Sequence, residues 1–334
     1  MMDVYKECLM DLAKNKDVSV RLAMASSLLC PRDVQEILAK DHHGGVRGNL
    51  AASPVVEGDI LSSLIRNDES LSVALQAVSN PKTTTEDIVY SYKNWKADKQ
   101  NNRMAHVIAK HKNTNVELLM EMTNRTSERP KKFDLDFLIF IAKNPNATEE
   151  LLEEMLKKRS SRIHEAVASN PNISSDRMEL FLNDTNPFIK KGLASNPKCP
   201  QEYIEQLAED KSGFVREAVA GNPNVSVEAL TKLASDSVWQ VKKAVGENVK
   251  TTEEVLLKLA SDFTFDRVLI SIAKNKNLGN YTEVLGKLIE YGKQPVLLEV
   301  YENEGVTKDQ KSMLFMLTGT SIEDLKDHLY RYWE

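Results

Sequence analysis

The stretch VREAVAGNPNVSVEALTKLASD, residues 215–236, returns along the chain in altered form at a nearly constant interval. Upstream stands IKKGLASNPKCPQEYIEQLAED (189–210) and downstream stands VKKAVGENVKTTEEVLLKLASD (241–262), each 26 residues away. A fixed period of about 20–50 residues is the sequence signature of a repeat architecture. The chain is therefore expected to be an array of similar units.

The units can be aligned on the first asparagine of the NPN motif. The spacing between aligned positions is 26 or 27 residues except around His111, where it grows to 31 and 33. About ten units result, with aligned positions at Ser27, Ser53, Asn80, His111, Asn144, Asn170, Asn196, Asn222, Asn248 and Asn275.

Each unit contains two short helical patterns. In the first, Val215, Ala218 and Val219 are spaced i, i+3, i+4, which places them on one face of a helix. A large apolar residue followed by a small one recurs near the end of this pattern, and such pairs let neighbouring helices approach closely. The second pattern opens with a good N-cap residue in six copies: Thr84, Asn115, Thr148, Ser174, Ser226 and Thr252.

Neither helix of a unit can bury its apolar face alone, so the units must stack. We therefore predict an all-α fold, an α-solenoid (superhelix) of about ten 26-residue two-helix repeats with a helical C-terminal cap. The repeat array is expected over residues 1–278 and is irregular, with insertions, at 92–137. Residues 279–334 leave the consensus, and we expect them to form the cap.

The consensus VRxAVAxNPNxxxExLxxLAxD resembles the variant leucine-rich repeat, a relative of the HEAT and armadillo helical repeats. The resemblance covers residues 3 to about 278 and is most specific in VREAVAGNPN, IHEAVASNPN and IKKGLASNPK. It implies an interaction scaffold, usually without catalysis. One founding member of that family carries a cysteine-ligated iron–sulfur cluster. Here Cys8, Cys30 and Cys199 show no cluster spacing, so no cofactor is expected.

Bulk composition sets further limits on the function class. Hydrophobic residues make up 41% of the chain and charged residues 28%, which is typical of a folded, soluble protein. No run of 18 or more apolar residues occurs, so no membrane segment is expected. The odd number of scattered cysteines is consistent with free thiols, which predicts a cytoplasmic location.

The sequence contains none of the common catalytic, phosphate-binding or zinc-binding motifs. The chain has no phosphate-binding glycine loop, no nucleophile elbow and no zinc-ligand helix. His42 and His43 are adjacent, but no cysteine or acidic residue stands at ligand spacing from them. We therefore expect no enzyme, no metal site and no small-molecule substrate.

A column of basic residues has two interpretations. Aligned along a solenoid, it could form a stripe that tracks phosphates. Alternatively it forms a structural ladder between repeats, because an aspartate stands six residues before four of its members, as Asp210 does before Arg216. The members of the column are Arg21, Arg47, His164, Lys190, Arg216 and Lys242.

The irregular middle is the most informative local feature. Between Lys93 and Lys132 the chain has ten basic and four acidic residues, a local charge of +6, whereas the whole chain carries −5. Insertions in a solenoid emerge as loops, and loops on a rigid scaffold commonly bind partners. The candidate partner-binding residues are Lys93, Trp95, Lys96, Lys99, Arg103, Arg125, Arg129, Lys131 and Lys132.

Two classes of function remain open at this point. The first is a non-enzymatic scaffold whose partner is another protein. The second is a nucleic-acid binder, similar to the alkylpurine DNA glycosylases that are also built from HEAT-like repeats, using the basic patch. Those enzymes place Trp, Asp and Arg around a cleft, whereas Trp95, Trp239 and Trp333 are far apart here. The net charge of −5 also favours the protein-binding scaffold over the nucleic-acid binder.

Overall fold

The computed structural model describes residues 2–94, 103–261, 265–319 and 321 of the 334-residue chain. Every regular element in these ranges is helical, and they contain no β-strand. The chain divides into two compact units, unit 1 (1–173) and unit 2 (174–334). Within each unit the helices alternate between two types, which we name A for the first helix of a repeat and B for the second.

Unit 1 contains twelve described helices, of which the even-numbered are A helices and the odd-numbered are B helices. The A helices are α2 (Val18–Ser26), α4 (Gly44–Ala52), α6 (Leu71–Ser79), α8 (Arg103–Lys110), α10 (Lys132–Lys143) and α12 (Ser161–Ala168). The B helices are α1 (Met2–Ala13), α3 (Arg32–Leu38), α5 (Gly58–Asn67), α7 (Thr85–Asn94), α9 (Val116–Asn124) and α11 (Glu149–Leu156).

Unit 2 continues the alternation among its described residues. Its A helices are α14 (Pro187–Ser195), α16 (Gly213–Ala220), α18 (Trp239–Glu247), α20 (Asp266–Ala273) and α22 (Gln294–Glu302). Its B helices are α13 (Ser175–Leu182), α15 (Gln201–Leu207), α17 (Val227–Leu233), α19 (Glu253–Ala260), α21 (Thr282–Tyr291) and α23 (Lys308–Thr318). A 3-10 turn, Leu278–Asn280, precedes α21.

Stacking of the A helices builds the core of each unit. Within a unit, each A helix packs on the A helix of the next repeat and on the B helices beside it. The paired large and small columns are buried, as Leu50–Ala51 in unit 1 and Val219–Ala220 in unit 2, all with no exposed surface. The prediction of an all-helical solenoid is therefore confirmed for the repeats within each unit.

Local capping explains where the B helices begin. The side chains of Asn115, Thr148 and Ser226 accept hydrogen bonds from the backbone N–H groups of Leu118, Leu151 and Ala229. Such caps satisfy an N–H group that has no partner inside the helix.

The first asparagine of the NPN motif links each repeat to the one before it. The Asn222 side chain donates two hydrogen bonds, to the backbone carbonyls of Ala194 (2.6 Å) and Asn196 (3.0 Å). Its oxygen accepts the backbone N–H of Asn224 at 2.7 Å, which closes the turn after α16. Both accepting carbonyls lie at the end of the preceding A helix, where backbone carbonyls lack partners inside the helix.

The same bridge recurs in both units. In unit 1, Asn80, Asn144 and Asn170 each donate to two carbonyls of the preceding repeat. In unit 2, Asn248 and Asn275 do the same. All of these asparagines are buried. We call this series the asparagine ladder.

The asparagine ladder also runs past the consensus repeats. Asn303 donates to the carbonyls of Ala273 (2.7 Å) and Asn275 (2.8 Å), and its oxygen accepts the N–H of Gly305. Residues 282–302, which sequence analysis assigned to the cap, thus form a B helix and an A helix that are tied to the array in the same way as the repeats before them.

Asn222→Ala is expected to lower the free energy of unfolding by about 2–4 kcal/mol, because it leaves the buried Ala194 carbonyl and the Asn224 N–H without the amide and leaves the Asn196 carbonyl with only the Cys199 N–H. Asn224→Ala is the matched control, since this exposed neighbour donates to the carbonyl of Pro197, and its expected cost is about 1 kcal/mol. Urea denaturation followed by circular dichroism measures both values. Equal losses in the two variants would contradict a dominant role for the buried asparagine.

Candidate partner-binding surface

The predicted basic column begins in unit 1 with two ion pairs between consecutive repeats. Arg21 Nε lies 2.6 Å from a carboxylate oxygen of Asp41, and Arg47 Nε lies 2.6 Å from Asp68. Each guanidinium also donates from Nη1 to a backbone carbonyl of its own repeat, that of Asn15 and of Asp41, both at 2.7 Å. One arginine therefore joins two B-to-A turns.

Unit 2 contains the same pairs. Lys190 Nζ lies 3.0 Å from Asp210, and Arg216 Nε lies 2.6 Å from Asp236. Arg216 Nη1 donates to the backbone carbonyl of Asp210 at 2.7 Å. Asp210, six residues before Arg216, thus accepts through its backbone carbonyl. The carboxylate that pairs with Arg216 is that of Asp236 in the following repeat. We call these ion pairs the Arg–Asp ladder.

The two remaining members of the column differ from this pattern. His164 Nε2 lies 2.8 Å from the backbone carbonyl of Lys158 and 3.0 Å from that of Leu156, so the ring takes the place of the arginine Nη1 group. Lys242 is half-buried, and its charge helps to lower the pKa of Asp236.

Electrostatics of the Arg–Asp ladder follow from partial burial. Burial of Asp236 by itself raises its pKa, but the hydrogen bonds from Arg216 and from the Val238 N–H, together with the charge of Arg216, outweigh burial and lower the pKa below its ordinary value. The pKa values of Asp41 and Asp68 are lowered through the same balance with their arginines. These carboxylates are ionised at neutral pH and stabilise the fold in that state.

Arg216→Ala is expected to lower the free energy of unfolding at pH 7 by about 1–3 kcal/mol, between the cost of an exposed and of a buried pair. Because the folded pKa of Asp236 is depressed, the pair stabilises the fold above the ordinary aspartate pKa of about 3.9 and is lost as pH falls through the lowered value. The difference between parent and variant should therefore shrink in urea titrations at decreasing pH.

Arg32→Ala provides the control for this titration. Arg32 also pairs with an aspartate of the next repeat, Asp59, but both side chains are at least half exposed. Its removal should cost less than removal of Arg216, because water screens exposed pairs. A loss in Arg216→Ala that stays constant down to pH 3 would show that packing, rather than the ion pair, stabilises this turn.

The Arg–Asp ladder is interrupted in the middle of unit 1. Three consecutive repeats place Ala74, Ala105 and Leu138 at the position of the base. In the next repeat Lys158 occupies the position of the aspartate, is buried, and donates from Nζ to the carbonyls of Thr126 (2.8 Å) and Thr123 (3.1 Å). An ammonium there binds the carbonyl end of α9, which the helix dipole favours.

The predicted partner-binding residues lie at the B-to-A turns of this interrupted stretch. Lys93 is in the last turn of α7, and Arg103 opens α8. Arg129, Lys131 and Lys132 surround the start of α10, and all five side chains are exposed. Trp95, Lys96 and Lys99 lie outside the described residues.

Arg125 connects the two turns. Its Nη1 donates to the Tyr92 hydroxyl at 2.9 Å, its guanidinium lies 4.9 Å from the Tyr92 ring centroid, and it pairs with Glu121. Since Tyr92 is in α7 and Arg125 follows α9, these contacts hold the ends of two consecutive B helices side by side.

Lys93, Arg103, Arg129, Lys131 and Lys132 lie at two consecutive B-to-A turns, and we call these five residues the basic edge. Within the described residues, none of these five side chains forms an ion pair. In the regular repeats of the same unit, Arg21 and Arg47 at the corresponding turns are paired with aspartates. Among the described residues, the basic edge thus presents positive charge without ion-pair partners where the Arg–Asp ladder is missing.

A cleft lies between α6 and α8 and was not predicted, although the 31-residue spacing from Asn80 to His111 marks its location. His111 Nε2 lies 2.9 Å from the carbonyl of Asn80, and Nδ1 accepts the N–H of Asn113. The imidazole imitates asparagine but reaches one carbonyl of the preceding repeat, because neutral histidine has a single N–H group. Among the described residues, this step has neither the second ladder bond nor an Arg–Asp pair of the Arg–Asp ladder.

Two adjoining cavities occupy the cleft. One has a volume of about 310 Å³ and is lined by Ser72, Gln76 and Arg103 among others. The second has a volume of about 450 Å³ and is lined by Val107, Lys110, His111 and Lys112 among others. Both cavities share Ser79 and Pro81, so the cleft continues along α8.

Comparison with known proteins identifies one repeat. Residues 213–238 match the family model described as leucine rich repeat variant. The chain resembles the variant leucine-rich repeats. The match falls on α16 and α17, the stretch in which the consensus is strongest, and the resemblance expected from the sequence is confirmed there.

Other comparisons add little. No curated protein matches the chain. Two crystal structures of engineered proteins from the Northeast Structural Genomics Consortium align over 96% of this chain and 98% of theirs. Their identities are 15% and 13% and their TM-scores 0.26 and 0.11. Scores this low carry no argument about shape or function.

Proposed function

We propose that the chain is a non-enzymatic scaffold that binds another protein, and that the basic edge is its binding surface. The observation that carries the proposal is that the bases of the basic edge form no ion pair within the described residues. In the regular repeats, by contrast, Arg21 and Arg47 are paired with aspartates. Loops held by a rigid repeat stack are suited to partner binding, since little conformational entropy is lost when they bind.

The charge of the basic edge selects a partner with an acidic surface. Residues 93–132 carry a net +6 within a chain of −5, so this part differs in sign from the rest. Complementary charge accelerates encounter and disfavours wrong partners. A protein partner is favoured over a nucleic acid because Arg21, Arg47, Lys190 and Arg216 of the basic column are engaged in ion pairs, so these four bases are not available to phosphates.

We place this function in the cytoplasm. Cys8, Cys30 and Cys199 are free thiols, and burial raises the pKa of Cys30 to about 11 and that of Cys199 to about 12. Buried thiols with raised pKa values are inert and suit a reducing compartment. In the described residues no helix is long and apolar enough to cross a membrane.

Reversal of charge on the basic edge tests the proposal. The variant with Lys93, Arg129, Lys131 and Lys132 each changed to Glu should bind the partner about tenfold more weakly at low ionic strength. The loss should diminish at high salt, because exposed charges are screened over about 10 Å at 0.1 M. Proteins retained by the immobilised parent are identified, purified and titrated against both forms by calorimetry.

The matched control reverses four exposed lysines of unit 2: Lys198, Lys211, Lys276 and Lys308. This control has the same net charge as the edge variant and should bind as the parent does. If both variants bind the partner equally weakly, the net charge of the chain explains the loss of affinity, and the basic edge is not the binding surface. Labelled duplex and single-stranded DNA and RNA are titrated in parallel. Nucleic-acid binding that only the edge variant loses, with protein binding intact, would support the alternative function.

A further inference from the structure

The cleft between α6 and α8 carries positive charge along its whole length. Arg103 lines the cavity beside the first turn of α8, and Lys110 and Lys112 line the cavity beside its end. Among the described residues that line either cavity there is no carboxylate. Arg103 also belongs to the basic edge, so the cleft and the edge form one continuous basic surface.

The position of Lys110 is fixed by an aromatic ring. Its Nζ lies 3.9 Å from the ring centroid of Phe140 in α10. A cation held over a ring keeps its ammonium hydrogens available as donors, because the ring face accepts charge without using all three N–H groups. The Lys110 ammonium therefore lies on the α10 side of α8, while Lys110 and Lys112 line the second cavity and Arg103 lines the first.

The wall between these cations is polar. Ser72 and Gln76 line the first cavity, where the Gln76 amide packs against Gly48 of α4. An amide offers both a donor and an acceptor. Backbone N–H and C=O groups of an extended chain require partners of this kind when they leave water.

We propose that this cleft binds an extended acidic segment of the protein partner. The inference rests on the scaffold function proposed above and assigns the part of the partner that enters. Carboxylate side chains of the segment pair with Arg103 at one end and with Lys110 and Lys112 at the other, while its backbone contacts Gln76.

Dimensions of the cleft define the segment. Arg103 and Lys110 are separated by seven residues of α8, or about 10 Å along the axis. An extended chain rises about 3.3 Å per residue, and alternate side chains point to the same side. Acidic residues at alternate positions over four to six residues therefore place carboxylates at both ends of the cleft.

A blocking substitution tests the cleft without changing its charge. Ser79 lines both cavities and is exposed, so Ser79→Trp fills the cleft and spares the core. Ser195→Trp is the matched control in unit 2, since Ser195 also precedes the ladder asparagine and is exposed. Both serine hydroxyls donate to the carbonyl four residues earlier, at 2.7 Å and 3.0 Å.

The probe is a fluorescein-labelled decapeptide of alternating Glu and Gly, with a Gln–Gly decapeptide as its neutral counterpart. Fluorescence anisotropy is measured with the parent, Ser79→Trp, Ser195→Trp, Lys110→Glu and Lys198→Glu at low salt. We expect the acidic peptide to bind the parent, and Ser79→Trp and Lys110→Glu to weaken it about tenfold or more. Ser195→Trp and Lys198→Glu should bind as the parent does. Circular dichroism confirms folding, and Lys110→Glu keeps the test valid if Ser79→Trp is unstable.

Several results would overturn the inference. These are equal binding of the acidic and neutral peptides, parent-like binding by both Ser79→Trp and Lys110→Glu, or displacement of the peptide by a single-stranded DNA twelve-mer that binds more tightly. The purified partner separates the two proposals. If Ser79→Trp and Lys110→Glu retain the partner while the edge variant loses it, the cleft fails and the scaffold function stands. If the edge variant also retains the partner, the proposed surface fails as well.

Discussion

The buried asparagine amide that joins consecutive repeats is the interaction on which each helical stack depends. The last carbonyls of an A helix have no partner inside the helix, and burying them unpaired costs free energy. One amide supplies two donors for these carbonyls and one acceptor for the next turn, as Asn222 does. Aspartate lacks the donors, so few side chains can meet this requirement.

That constraint explains both the regularity of the array and the place where it changes. A bridge from one A-helix end to the next requires a constant distance between them, which Asn144 also meets across the longer 33-residue spacing from His111. His111 satisfies the turn with Nδ1 but reaches one carbonyl, that of Asn80. At the step from α6 to α8 the asparagine ladder has one bond to the preceding repeat instead of two, and there the stack contains a cleft. The shortened step of the ladder and the cleft thus coincide.

Periodic features were predictable from the sequence, whereas nonlocal partners were not. The large and small columns, such as Val219 and Ala220, follow from helical periodicity and are buried as expected. The spacing of Asp210 and Arg216 suggested a pair, but the Arg216 carboxylate partner is Asp236, twenty residues further on. Local spacing cannot reveal which neighbour a stacked repeat brings close. Asn303 was missed because its surroundings lack the consensus, although its hydrogen bonds are the same.

Of the candidate site, the sequence predicted the charged turns but not the cleft. A cluster of bases such as Lys131 and Lys132 is visible in composition, while cavities depend on how two helices stack. The same physical fact connects both features. In regular repeats the arginine of the Arg–Asp ladder forms an ion pair with an aspartate of the next repeat, as Arg47 does with Asp68. Where Ala74 and Ala105 stand in place of that arginine, no guanidinium there bridges to an aspartate, and Lys131 and Lys132 form no ion pair within the described residues.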